Sequence, residues 1–141
     1  MTVDSEAIFA LAAHSRNDAG ALEHLRGAMA AAWLDEREPE LVFAARGSGR
    51  PLWLGEGRGG VFFASTNRAL EVVERYAGMR LRKREVPEGT WLALRDGAVE
   101  RRERFRPDLD YHEDDPLPAV RAPGEGAFCL TRLAALAATV A

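Results

Sequence analysis

The stretch from Leu41 to Glu71 places the strongest constraint on what this chain can fold into. It holds three short apolar segments, Leu41 to Ala45, Pro51 to Leu54 and Val61 to Ser65, separated by glycine-containing turns. Asn67 to Tyr76 follows at once with an amphipathic pattern. Short apolar runs bounded by glycine are typical of strands, and the change to helical spacing indicates a helix. The stretch therefore predicts three strands followed by a helix.

The flanking sequence continues this mixture of helices and strands. Ile8, Leu11 and Ala12 recur at helical spacing, which predicts a first helix with Asp4 or Ser5 as its N-cap. Beyond it we expect a short helix from Ala19 to Arg26 and strands at Met29 to Leu34, Arg80 to Val86 and Thr90 to Leu94.

Two of the expected strands, Met29 to Leu34 and Leu41 to Ala45, are continuously apolar. A strand with one solvated face normally alternates apolar and polar residues, so this pattern predicts strands covered on both faces. Arg80 to Val86 instead alternates arginines with apolar residues, which predicts an edge strand or a strand with one solvated face.

Composition excludes several classes of protein. The chain has 141 residues, of which 47% are apolar, enough for one ordinary core. Its net charge of −3 gives no field that would recruit nucleic acid or a membrane. A single cysteine excludes an internal disulfide, and the amino terminus lacks the pattern of a secretory signal. We therefore expect a cytoplasmic protein with neither nucleic acid nor membrane as a partner.

Two motifs invite a chemical interpretation that their surroundings oppose. Gly55, Gly57 and Gly60 match a dinucleotide-binding pattern, but Val61 and the residues after it predict a strand where that site needs a helix. A hairpin turn explains these glycines better. Cys129 has apolar neighbours, which raise the pKa of a thiol, so we expect a buried structural cysteine.

The charged carboxyl-terminal part also has a simple explanation. Asp108 to Asp115 is acidic and predicts a solvated loop, while arginines at 101, 102, 104 and 106 come just before it. Mutual neutralisation of the two runs explains both without an RNA partner. The acidic run lacks the spacing and the glycine of a calcium loop, and the three histidines are scattered, so we expect no metal and no cofactor.

The order of the segments carries more information than any one of them. An arginine-ended strand, Ala44-Ala45-Arg46, precedes Pro51-Leu52, a Gly-x-Gly turn, Phe62-Phe63-Ala64-Ser65 and a helix. This order resembles the class II glutamine amidotransferases, such as the glutaminase domain of glucosamine-6-phosphate synthase. Further collinear matches are Asp4-Ser5-Glu6, Leu25-Arg26-Gly27-Ala28 and Pro87-Glu88-Gly89-Thr90, so that the resemblance spans Val3 to Gly97.

The resemblance implies a role for Asp4. In the family, the aspartate of an Asp-Thr-Glu or Asp-Ser-Glu motif at the start of a helix receives the α-ammonium group of glutamine. A carboxylate at a helix amino terminus stays ionised and can pair with an ammonium group, which suits that role. An ordinary N-cap uses the same residue type at the same place. Both interpretations of Asp4 remain open at this point.

The departures from the family are equally informative. The family cleaves glutamine with an amino-terminal cysteine, whereas this chain begins Met1-Thr2-Val3, and it has neither an Arg-x-x-Thr-His-Gly nor an Asn-Gly segment. Without a nucleophile and oxyanion donors, acyl transfer loses its largest contributions. We therefore expect the later portion of a glutaminase domain, with no catalytic residue of its own and inactive alone. The alternative is a non-catalytic binding or assembly module derived from that fold.

The implied fold is an α/β (α+β) architecture: an incomplete α/β/β/α sandwich of the amino-terminal nucleophile hydrolase type, with mostly antiparallel sheets. We expect residues 1–106 to form the amidotransferase-like domain and residues 107–141 an acidic, proline-rich loop with an apolar carboxyl-terminal segment. A partial sandwich leaves strand edges open, and such edges seek partners. We therefore expect self-association or a complementary chain, with glutamine as the small-molecule partner.

Overall fold

The computed structural model describes residues 4–111. The helices in this range are α1 (Asp4–Ser15), a 3₁₀ helix (Ala19–His24) and α2 (Asn67–Ala77). The strands are β1 (Ala30–Leu34), β2 (Val42–Arg46), β3 (Trp53–Gly57), β4 (Gly60–Ala64), β5 (Arg82–Glu85), β6 (Thr90–Arg95) and β7 (Ala98–Arg104). Of the sequence predictions, those for Cys129, for the acidic residues beyond Tyr111 and for the apolar carboxyl-terminal segment concern residues outside this range.

The strands form two antiparallel sheets. The larger sheet has the order β1-β2-β6-β7, and the smaller sheet has the order β4-β3-β5. In the larger sheet Ala44 of β2 lies between Ala32 of β1 and Leu92 of β6. In the smaller sheet Leu54 of β3 lies between Phe63 of β4 and Arg84 of β5. Strands that are adjacent in sequence pair as hairpins, so most of the sheet contacts are local.

Three apolar clusters separate the layers of the molecule. Phe43 and Trp91 of the larger sheet pack with Leu22 of the 3₁₀ helix, and Ile8 of α1 adds to this cluster. The residues between the two sheets include Leu54 and Leu92. On the far side of the smaller sheet, Leu70 and Val73 of α2 pack against Leu81 and Trp53. The layers therefore follow the order helix, sheet, sheet, helix, as burial of both faces of each sheet requires.

The predicted α+β architecture with antiparallel sheets is confirmed.

Helix α2 shows how local sequence specifies an element. The Thr66 hydroxyl caps it by accepting from the Ala69 amide at 3.2 Å, and Gly78 ends it in the left-handed conformation. Its amphipathic face buries Leu70 and Val73, as the spacing of its apolar residues predicts.

The expectation that both faces of Met29 to Leu34 are covered is wrong. This segment forms β1, an edge strand of the larger sheet, and the exposed fraction of Leu34 is 72%. The expectation holds for β2, where Phe43, Ala44 and Ala45 are fully buried between two neighbouring strands and two layers. The two runs differ in position within the sheet, which apolarity alone does not encode.

Other differences concern element type and boundaries. The short helix after α1 is a 3₁₀ helix that ends at His24, and β3 starts at Trp53 instead of Pro51. Strand β7 occupies Ala98–Arg104, where the sequence predicted only a basic run. Packing extends past residue 106, because the Ser48 hydroxyl donates to the carbonyl oxygen of Asp108. In residues 4–111 no helix has the length and apolarity to cross a membrane.

Candidate functional site

A cleft of about 580 Å³ opens beside the first turns of α1. Ser5 and Ile8 of α1 line one side. The segment from Arg26 to Ala30, Pro51 and Tyr111 contribute the other sides, together with Arg50 and Ser65. Polar and apolar groups therefore meet at the amino terminus of a helix, where the unpaired backbone amides carry partial positive charge.

Asp108 fixes two of the loops that line the cleft. Its carboxylate accepts a hydrogen bond from the Gly27 amide at 3.0 Å, and its carbonyl oxygen accepts one from the Ser48 hydroxyl. The Gly27 amide, followed by the Asp110 amide and the charge of Arg26, holds the pKa of Asp108 below its usual range. An ionised Asp108 thus joins segments that are far apart in the sequence.

The Gly49 loop requires a glycine at its closest approach to the cleft. Gly49 has φ +70°, and a Cβ at this position would lie 2.9 Å from the Cβ of Ala28 and 3.4 Å from the ring of Tyr111. The Gly49 amide also donates to the carboxylate of Glu88 at 3.1 Å. Because Gly49 has no side chain, its backbone forms this part of the wall and lies close to Ala28 and Tyr111.

The structure places the predicted site residue next to this cleft. Asp4 is the first residue of α1 and directly precedes Ser5 in the wall. The Leu25-Arg26-Gly27-Ala28 motif forms the opposite wall, and Pro51 of the next motif contributes to it. Three segments that the sequence singled out separately thus converge on one cleft. The contribution of Asp108 and Tyr111 was not predicted, because contacts across 81 residues leave no local pattern.

A second polar cluster holds the carboxyl-terminal end of α1. Asn17 donates to the carboxylates of Asp35 at 2.7 Å and Glu38 at 3.3 Å, and its side-chain oxygen accepts from the Trp33 indole at 2.9 Å. The Arg37 guanidinium binds both carboxylate oxygens of Asp35 and donates to the Ala13 carbonyl at 3.0 Å. This cluster ties α1 to the β1–β2 hairpin.

The ionisation of Asp35 follows from these contacts. Hydrogen bonds from the Arg37 side chain and backbone, with a weaker contribution from Asn17, hold the pKa of Asp35 well below its usual range. Its carboxylate thus stays charged throughout the neutral range. No local sequence signal indicated this cluster, since its members come from three separate segments.

The remaining candidates have structural explanations. Gly57 pairs with Gly60 at the end of the β3–β4 hairpin, so the hairpin prediction for the glycine motif is confirmed. Arg101 lies 5.0 Å over the ring of Trp91, and Arg104 donates to the Thr90 hydroxyl at 2.7 Å. Within residues 4–111 these arginines contact β6 and not the acidic run, so the expected mutual neutralisation is not observed there.

The described part of the chain contains no group of three or more histidine, cysteine, aspartate or glutamate side chains arranged to hold a metal ion. Asp108 and Asp110 are the members of the acidic run that fall within it, and Asp108 uses its carboxylate on backbone amides.

Comparison with known protein families gives a match. A family model described as a glutamine amidotransferase domain matches residues 1–72, just over half of the chain. The matched range contains α1, the 3₁₀ helix, β1 to β4 and the first half of α2. It therefore includes most segments that line the cleft. No curated protein and no solved structure matched the chain.

Proposed function

Because this chain belongs to the glutamine amidotransferase domain family, we propose that it forms the later portion of such a domain and uses Asp4 to bind the α-ammonium group of glutamine. The observation that carries the proposal is the convergence of three family-like segments on one cleft. Asp4 begins the helix at one wall, and the Arg26–Gly27 segment and Pro51 form the others.

The chemistry of the cleft suits a small zwitterion. Its volume of about 580 Å³ lies within the range of about 300–1,000 Å³ typical of small-molecule sites. A carboxylate at a helix amino terminus remains ionised and pairs favourably with an ammonium group. Arg26 is exposed at the same cleft, so its guanidinium group could pair with the carboxylate of a bound amino acid.

We also propose that this chain does not hydrolyse glutamine alone. The sequence contains one cysteine, Cys129, and its apolar neighbours disfavour the thiolate needed for attack. The nucleophile would then be supplied by a segment outside these 141 residues, such as a complementary chain, that completes the site beside Asp4. Incubation of the purified chain with glutamine should release no ammonia, and robust turnover would contradict this part of the proposal.

Calorimetric titration with L-glutamine tests the role of Asp4. The Asp4→Asn variant keeps a side chain that caps helices as well as aspartate does, but it lacks the negative charge. We expect the variant to unfold at the same urea concentration as the wild type and to bind glutamine at least about tenfold more weakly, since one ion pair in a cleft contributes about 1.5–3 kcal/mol.

Two controls make the titration specific. N-acetylglutamine lacks the ammonium group and should bind the wild type and the Asp4→Asn variant equally weakly. Asp18→Asn changes the aspartate that caps the 3₁₀ helix, where its carboxylate accepts from the Gly20 amide at 3.2 Å, and should leave glutamine binding unchanged. Equal glutamine binding by the wild type and Asp4→Asn would mean that Asp4 only stabilises the amino terminus of α1.

The extent of the domain is part of the proposal. We assign residues 1–106 to the amidotransferase-like portion, of the amino-terminal nucleophile hydrolase type, and residues 107–141 to a carboxyl-terminal segment whose first residues, Asp108 and Tyr111, pack against that portion at the cleft. The layer order of helix, sheet, sheet and helix supports the proposed type of fold.

One observation favours the second candidate, a non-catalytic assembly module. The edge strand β1 is uncharged and exposes Leu34 to solvent, which suits an association surface. If glutamine does not bind and the chain nevertheless associates, this second function replaces the first.

A further inference from the structure

The two edges of the larger sheet differ in their charge. Five of the seven residues of β7 at one edge are charged, and β5, an edge of the smaller sheet, consists of Arg82, Lys83, Arg84 and Glu85. Charged side chains on an edge strand oppose pairing with another sheet. The opposite edge, β1, has the sequence Ala-Ala-Ala-Trp-Leu and carries no charge. Its free side therefore lacks the protection that β5 and β7 have.

A groove accompanies this unprotected edge. It has a volume of about 650 Å³, lies between α1 and β1, and is lined by six apolar residues together with Asn17, Asp35, Glu36 and Arg37. Phe9 and Leu34, whose exposed fractions are 42% and 72%, both line it. They are two of the four large hydrophobic residues exposed within residues 4–111. Exposed apolar surface of this kind is typical of an interaction site.

We propose that β1 pairs antiparallel with β1 of a second copy of this chain, about a two-fold axis at Ala32. In this register Leu34 lies opposite Ala30 of the second copy, and Trp33 lies opposite Ala31. Each large side chain thus meets a small one on the same face, and Ala32 meets its own counterpart. The two larger sheets join into one eight-stranded sheet.

The residues of β1 favour a second copy over an unrelated strand because they complement themselves. A two-fold interface must match its own surface, and the strand meets this condition without a like-charge contact or a clash of two large residues. The same operation on β7 would bring charged side chains of neighbouring strands together. The inference does not depend on glutamine binding, since it rests on the free edge of β1 and the outer side of α1, and Ala30 is the one residue of β1 that also lines the cleft.

Light scattering coupled to size-exclusion chromatography tests the pairing in the full chain. The wild type at micromolar concentration should have twice the mass of the 15.5 kDa chain. Leu34→Lys places a charge on the free edge at an exposed position and should shift the protein to the monomer. Leu109→Lys changes another exposed leucine, with an exposed fraction of 66%, and should leave the mass unchanged.

Cysteine cross-linking tests the register. In a Cys129→Ser background, Ala32→Cys places two thiols across the two-fold axis, within the Cα distance that a disulfide allows. Mild oxidation should then give a covalent dimer. Ala31→Cys lies opposite Trp33 of the second copy and should cross-link at least about tenfold less. Circular dichroism establishes that each variant is folded.

Several results would overturn the proposal. These include a wild-type monomer at micromolar concentration, a dimer that survives Leu34→Lys unchanged, and equal cross-linking at positions 31 and 32. A dimer that dissociates only in the Leu109→Lys variant would place the interface elsewhere and would also overturn it.

Discussion

Asn17 illustrates how one side chain determines the position of an entire helix. It is 4% exposed and adopts φ +61°, a left-handed conformation that asparagine tolerates better than most residues. Its amide group serves three partners at once, the carboxylates of Asp35 and Glu38 and the indole of Trp33. The hydrogen bonds of the side chain and the left-handed backbone conformation thus both favour asparagine at position 17.

Replacement of Asn17 separates these two contributions. Asn17→Ala and Asn17→Gly both remove the hydrogen bonds, and we expect each to lower the free energy of unfolding by about 1–3 kcal/mol because buried partners lose them. The alanine variant should be less stable than the glycine variant by about 1 kcal/mol, since only alanine strains the left-handed backbone. Urea denaturation measures both values. Equal stability of the two variants would show that φ at this position relaxes.

Asp35 should make stability depend on pH in acid. Because Arg37 lowers the folded-state pKa of Asp35, the unfolded chain takes up the proton first as the pH falls. The stabilisation is complete above the ordinary pKa of 3.8 and is lost progressively below it. The Asp35→Asn variant lacks this effect. We therefore expect the difference in urea midpoint between wild type and variant to be constant near neutral pH and to shrink below about pH 4. A difference that does not change with pH would contradict the role of the ion pair.

At the scale of the elements, the loops around the cleft are the most constrained part of the fold. Gly49 faces Ala28 across a gap that leaves no room for a side chain. Two further hydrogen bonds hold the loop. The Gly49 amide donates to the Glu88 carboxylate, and the Ser48 hydroxyl donates to the Asp108 carbonyl oxygen. The wall of the cleft is thus built by long-range contacts and not by the loop alone.

Gly49→Ala tests this constraint against a matched glycine. Both Gly49 and Gly59 have positive φ, but a Cβ at Gly59 would meet no atom within 4 Å. We expect Gly59→Ala to lower stability by about 1–2 kcal/mol through backbone strain alone. Gly49→Ala should lower it further and should weaken glutamine binding, since it displaces Ala28. Equal effects of the two substitutions on stability and on glutamine binding would mean that the Gly49 loop moves to accommodate the added methyl group.

The success of sequence prediction at this scale followed from where apolar residues are placed. Strand β2 and helix α2 were predicted because their own residues show which positions are buried. In β2 three consecutive apolar residues are buried, and α2 carries an apolar stripe. Strand β7 was missed because its charged residues show no apolar period, and β6 holds it through the backbone. The exposure of β1 was missed because an alanine-rich strand has the same pattern at an edge as in the middle of a sheet.

At the scale of the whole molecule, the order of motifs carried the information that single motifs lacked. The Asp4, Arg26–Gly27 and Pro51 segments are each unremarkable alone, and the fold brings them to one cleft. Asp108 and Tyr111 complete that cleft from the far end of the described chain. Their contribution to the cleft could not be predicted, because contacts between residues so far apart in the sequence form only when both sheets and the helices have packed together.

Titration of the ¹⁵N-labelled chain with L-glutamine, followed by amide chemical shifts, measures glutamine binding at the cleft most directly. We expect saturable shifts at the amides around the cleft, Ser5, Gly27 and Gly49 above all, and their loss in the Asp4→Asn variant. Amides of the distant β3–β4 turn, such as Gly59, should not move. An absence of shifts at millimolar glutamine, or shifts that persist unchanged in Asp4→Asn, would show that Asp4 does not bind glutamine.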